Sequence, residues 1–145
     1  QNPYNLLNRE LEREMWPAQR DQGFGVMTYS PLGVGLLSGL YAPGQAPPTD
    51  SLYATVRARH FASEMDPTAA AMLEVLREIA AEHGKSVAQT ALNWVLSHPE
   101  VSLAITGGDT AEHMEENVGA VGWSITEQQR ERLDAVSEGS QRILD

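Results

Sequence analysis

Two short stretches carry residue types suited to binding a partly aromatic, phosphate-bearing ligand. The first runs Met27-Thr28-Tyr29-Ser30-Pro31-Leu32-Gly33-Val34-Gly35-Leu36-Leu37-Ser38-Gly39. A short strand pattern ends there on an aromatic ring, and a loop of small residues follows. A ring at a strand end can stack on a flat heterocycle, and exposed N–H groups of a Gly/Ser loop can cradle a pyrophosphate. The competing reading is a core tyrosine followed by an ordinary turn. The second stretch is Ile105-Thr106-Gly107-Gly108-Asp109-Thr110-Ala111-Glu112-His113-Met114-Glu115-Glu116-Asn117-Val118-Gly119-Ala120. Here a strand feeds a helix start through two glycines, a common phosphate position. Ala111, Met114, Val118 and Val121 have the spacing of a buried face, while His113, Glu116 and Asn117 share a different one. The competing reading of those three is a solvated face.

The elements that position these stretches alternate. Asn8 is placed to cap a helix over 9–22 with Leu11, Met15 and Ala18 on one face, Pro17 bending or splitting it, and Gly23 past its end. Phe24 to Tyr29 reads as a short buried strand. Asp66-Pro67 starts a helix with Leu73, Leu76, Ile79 and Ala80 inward, ended by Gly84. Ser86 with Gln89 forms a capping box for the next, with Ala88, Ala91, Leu92 and Val95 inward and Pro99 closing it. Val101 to Ile105 reads as a second short buried strand. A helix over Thr110 to Val121 follows, and Thr126 with Gln129 opens a last one, with Leu133 and Val136 inward. The prolines 43, 47 and 48 make roughly 40–65 a long excursion, of the kind that is usually functional or disordered.

Strands alternating with helices imply parallel strands covered by helices. Two strands, plus the tail of a third at the start, do not make a stable open sheet, and a closed (β/α)8 barrel needs about 250 residues. The pattern therefore implies further strands from a longer parent or another chain. The chain opens on Gln1 without an initiator Met, as a fragment or processed piece would. The absence of cysteine excludes a thiolate metal site and disulfides and fits a cytoplasmic setting. A formal charge of −10 disfavours nucleic acid and anionic membranes as partners. No apolar run reaches the ~20 residues of a membrane span.

Together, and in this order, the two stretches resemble the aldo-keto reductase family, especially its bacterial and potassium-channel β-subunit-like branch. The opening Gln1-Asn2-Pro3-Tyr4-Asn5-Leu6-Leu7-Asn8-Arg9 is similar to the end of that family's sixth barrel strand. The resemblance spans essentially 1–145. It implies an α/β fold: the C-terminal portion of a (β/α)8 TIM barrel, from the end of strand six to strand eight, with a long loop at about 40–65. It implies an NAD(P)H-dependent aldehyde or ketone reductase, this chain carrying the cofactor-binding half, with NADP(H) or NAD(H) as cofactor and a small carbonyl compound as substrate. Gln1 would meet the nicotinamide carboxamide and Tyr29 stack on its ring. Ser30, Leu32 and Gly35 would wrap the pyrophosphate. Gly107, Asp109 and His113 would surround the adenosine ribose and its 2′-phosphate, with Glu116 and Asn117 at the adenine amino edge.

The departures from that family matter equally. Its catalytic Asp, Tyr, Lys and His motifs are not here, so the chain alone is expected to be inactive. Tyr4, Tyr41, Tyr53, His60, His83 and His98 match none of those roles. Asp109 stands where relatives often have Arg or Ser, Leu40 where many have Lys, and His113 where Gln is common. These changes weaken a grip on a 2′-phosphate, unless Arg57 or Arg59 compensates, and they favour NAD(H). The alternatives are a non-catalytic binding or regulatory module, and an inactive truncated fragment. The missing N-terminal half, or self-association, is expected to cover the open edges.

Overall fold

Three parallel strands lie in the order β1-β2-β3, with helices between them, in the computed structural model, which describes residues 1–108 and 110–142. They are β1 (Asn2–Pro3), β2 (Val26–Tyr29) and β3 (Val101–Ile105). The helices are α1 (Met15–Gln22), α2 (Phe61–Glu64), α3 (Pro67–His83), α4 (Val87–Leu96), α5 (Ala111–Val118) and α6 (Glu127–Val136). Asn2 pairs with Thr28, Pro3 with Tyr29, and Tyr29 with Ile105, so all three strands end at one level. Ser102 is skipped where Val26 pairs with Val101 and Met27 with Leu103, which bulges β3.

The helix ends follow from local chemistry. Asp66 accepts from the Ala69 N–H at 2.9 Å with Pro67 in the first turn, and Gly84 closes α3 in the left-handed region. Reciprocal capping boxes, Ser86 with Gln89 and Thr126 with Gln129, start α4 and α6. α3 buries Ala69, Met72, Leu73, Leu76 and Ile79 and packs against α4 and α6. The predicted helix over 9–22 is split, as Pro17 requires. A 3-10 turn covers Glu10–Glu12, and α1 begins only at Met15, so that Pro17 falls in its first turn, where a missing N–H costs nothing. Asn8 accepts from the Glu10 N–H at 3.2 Å at the start of the 3-10 turn, and Trp16, rather than Leu11, Met15 or Ala18, is the buried residue.

Two expectations are overturned by what covers what. β2 and β3 are not buried on both faces. Val26 and Thr28 point under the helices, but Met27, Tyr29, Leu103 and Ile105 are exposed on the other face. Parallel strands are buried on both faces only when both are covered, and here the helices cover one. Likewise α5 buries none of its residues, and Met114, Val118 and Val121 are exposed, Val118 by 62%. The long excursion at 40–65 carries some local structure. It contains a 3-10 turn (Leu52–Ala54) and α2, and it carries its own aromatic centre. Tyr41 and Tyr53 meet edge to face at 5.0 Å, each 5.6 Å from Phe61, with Arg57 paired to Glu64 at 2.6 Å.

A second aromatic cluster joins β1 to α1 and α4. Tyr4 stacks on Trp94 at 5.3 Å and lies 5.0 Å from Trp16, with His98 edge-on. The Tyr4 hydroxyl donates to Glu12 at 2.7 Å, the Trp94 indole N–H donates to Asp134 at 2.8 Å, and the His98 Nδ1–H donates to the Trp94 carbonyl at 2.9 Å. Burial holds the His98 imidazolium pKa below its ordinary 6.5. The unfolded chain therefore takes up a proton before the folded one does, and stability falls as pH drops below about 6.5. Urea midpoints measured from pH 8 to 5 should decline, by up to about 1.4 kcal/mol per pH unit at the steepest point. His98→Gln should flatten that segment, and an unchanged slope would refute the assignment. Asp66 and Glu100 act the same way at lower pH. Arg142 and Arg20 respectively, outweighing desolvation, hold these carboxyls below their usual range.

Candidate functional site

At the end of β2 the backbone turns sharply. Ser30 adopts φ 51°, Val34 φ 54° and Gly35 φ 86°, all left-handed. A β-branched residue such as Val34 reaches that region only when its surroundings force it, and such strain concentrates at binding sites. The turn is fastened from both sides. The Asn5 Nδ2 donates to the Ser30 carbonyl at 2.9 Å, while its Oδ1 accepts from the N–H groups of Leu7 at 2.8 Å and Asn8 at 3.1 Å. Within the turn Gly33 N–H donates to Ser30 O at 2.9 Å and Leu37 N–H to Leu32 O at 3.0 Å.

The neighbouring wall comes from the end of β3 and α5. Thr110 caps α5 by accepting from the His113 N–H at 3.2 Å. Asn117, two turns into α5, donates to the Gly107 carbonyl at 2.8 Å and closes the strand-to-helix turn. Gln89 of α4 donates to the Glu116 carbonyl at 3.0 Å, which seats α5 on α4.

The two walls enclose a cleft of about 700 Å³. Of the residues singled out in the sequence, Ser30, Leu32, Gly35, Gly107, His113, Glu116 and Asn117 line it. Tyr29 does not line it, but pairs with Ile105, which does, and is exposed on the same open sheet face. Gln1 is exposed ahead of β1 and outside the lining. Asp109 lies outside the described residues. Arg57 and Arg59 are not among the lining residues. Sequence reasoning did not assign Val34, Leu52 or Ala88 to this cleft, nor Asn5 to its support. A buried asparagine shortly after a strand was the one available signal, because such a side chain must satisfy both donors and acceptor.

The volume suits a sizeable organic ligand. The left-handed turn offers N–H groups, and Leu32, Val34, Leu40 and Ile105 offer apolar surface. The donor set therefore fits a nucleotide-like group. It does not fit a metal: among the described residues no group of His, Asp and Glu is arranged to hold one. Two described lining residues of the cleft, Tyr41 and His113, carry groups able to donate a proton. Tyr4 is buried against Glu12, and burial first, then that carboxylate, raises its pKa far above the ordinary value. Tyr53 is engaged by Glu64 and shifted upward for the same two reasons. The single lysine, Lys85, donates to the Gly119 carbonyl at 3.3 Å and lies over the Trp123 ring. No helix among the described residues is long and apolar enough to cross a membrane.

The aldo/keto reductase family model matches residues 1–138. A rice protein named "Probable voltage-gated potassium channel subunit beta" is 38% identical over 124 residues, covering 83% of this chain and 37% of that protein. The chloroplastic pyridoxal reductase of Arabidopsis thaliana is 32% identical over 144 residues, covering 97% of this chain and 36% of its own length. Among solved structures, a glycerol dehydrogenase from Gluconobacter oxydans superposes with a TM-score of 0.76 at 25% identity, covering 99% of this chain and 43% of that one. The chain thus spans well under half the length of the relatives that it matches.

Proposed function

The chain belongs to the aldo/keto reductase family of oxidoreductases, and from that premise we propose that it forms the dinucleotide-binding wall of an NAD(P)H-dependent aldehyde or ketone reductase. The observation that carries this is the convergence, on one cleft, of seven residues from two strand-end segments more than 70 positions apart. The family resemblance gives each of the seven a contact to the same dinucleotide. In this reading the three strands are the C-terminal part of the barrel.

The turn at Ser30 to Gly35 presents N–H groups to the pyrophosphate, with Asn5 holding Ser30 in place. Glu116 and Asn117 meet the adenine. Tyr29 offers its ring at the edge of the cleft. When bound, the reduced nicotinamide supplies the hydride for a carbonyl carbon. The proton for the resulting alkoxide comes from an acid outside this chain: Tyr4, Tyr53 and Lys85 are engaged elsewhere, and Tyr41 and His113, which line the cleft, match no catalytic motif of the family. The exposed face of Met27, Tyr29, Leu103 and Ile105 and the free edge of β3 are where further barrel strands dock, from an N-terminal half or a second copy. A cytoplasmic setting accords with the cysteine-free composition.

Two measurements test this. Titration of the purified chain with reduced nicotinamide dinucleotides should show saturable binding below about 1 mM, and an assay with an aromatic aldehyde should show no turnover. Absence of binding would overturn the cleft assignment, and a measurable kcat would overturn the division of labour. A second reading, a non-catalytic docking module, is favoured by the name of the rice relative. It gains support if the chain binds no dinucleotide.

A further inference from the structure

Glu116 is the one carboxylate among the described lining residues of the cleft, and no lysine or arginine lines it. Two arginines of adjoining segments have partners of their own. The Arg77 Nη2 donates to the Tyr41 carbonyl at 2.9 Å and Nη1 faces Glu74 at 3.7 Å. Arg57 is paired with Glu64 at 2.6 Å. The N-terminus of α5, where an anion would otherwise find N–H groups and the positive end of the helix dipole, is already served from within. Thr110 caps it, and the Glu112 carboxylate is held below its usual range by its own backbone N–H and the Thr110 hydroxyl. Leu40, exposed and lining the cleft, presents an apolar side chain there.

A carboxylate only accepts hydrogen bonds, so Glu116 suits hydroxyl and amino donors. A phosphate monoester brings up to two further negative charges into a cleft whose described lining holds no lysine or arginine and, beside Glu116, the imidazole of His113. Resting on the dinucleotide reading above, we infer that this cleft selects the adenosine with a free ribose 2′-hydroxyl: NAD(H) over NADP(H), with Glu116 and Leu40 as the residues that set the preference.

Calorimetric or fluorescence titration of the chain with NADH and with NADPH tests this without any turnover. The expected result is a Kd for NADH at least about tenfold lower. That ratio should shrink as salt is raised, because the discrimination is electrostatic. Leu40→Lys should narrow it at least about fivefold, and so should Glu116→Gln, each by tightening NADPH. Equal affinity, or tighter NADPH binding, would overturn the inference while leaving the cleft assignment intact. Binding of neither dinucleotide would overturn both.

Discussion

Replacing Trp94 with alanine is expected to cost about 3–5 kcal/mol of unfolding free energy. Trp94 is fully buried and stacks on Tyr4, with His98 at 4.6 Å. Its indole N–H donates to Asp134, and the Arg9 guanidinium lies 5.6 Å over its ring. Truncation thus opens a cavity beside the three remaining rings, Tyr4, Trp16 and His98, and leaves the Asp134 carboxylate without its neutral donor. The measurement is a urea denaturation curve compared with the native chain. A shift below about 1.5 kcal/mol would show that the cluster collapses around the gap. Trp94→Phe should recover the packing but not the bond to Asp134, so its loss should fall between the two.

Gly39→Ala is expected to cost about 2–4 kcal/mol, from two separable sources. Gly39 has φ 86°, a region that a Cβ penalises. A Cβ there would also stand 2.7 Å from the Val87 Cβ. Val87→Ala in the same chain cannot move that Cβ contact, but it removes both methyls, at 3.0 and 3.3 Å, and lets the helix settle. A double-mutant cycle should therefore return the part of the steric cost owed to the methyls and leave the Cβ contact and the backbone part. Full additivity would refute the methyl contacts. Because Ser38 and Leu40 flank Gly39 and line the cleft, the same change should also weaken dinucleotide binding.

The distribution of what was legible follows from the range of the forces. The Asp66-Pro67 start of α3, the capping boxes at Ser86 and Thr126 and the stop at Gly84 are interactions across three or four residues, and each was readable in order. The same is true of Pro17, whose ring acts on its own helix. The burial of β2, β3 and α5 was not. Met27, Leu103, Met114 and Val118 are apolar at the right spacing, but periodicity reports only which residues share a face, not whether anything covers it. Proline content marks 40–65 as a stretch where regular elements stop, whereas the Tyr41–Tyr53–Phe61 packing within it is invisible in composition.

The two ligand-suited stretches were found in the sequence because a strand ending on Tyr29 and another running into Gly107 each have a local signature. Their meeting was decided by tertiary structure alone. Parallel pairing sets Tyr29 against Ile105 at one level, so the segments that follow face each other. Asn5, from a third segment, then holds the strained Ser30 in place through a bond no periodicity encodes. The sequence by itself determined the helices, their ends and the residue types at the two strand exits. Only the three-dimensional arrangement decided that those exits form one cleft, that it is lined by Glu116 with no lysine or arginine among its described residues, and that the opposite sheet face lies open. Capping and turn chemistry are short-ranged, whereas cleft, charge environment and exposure depend on which distant elements pack together.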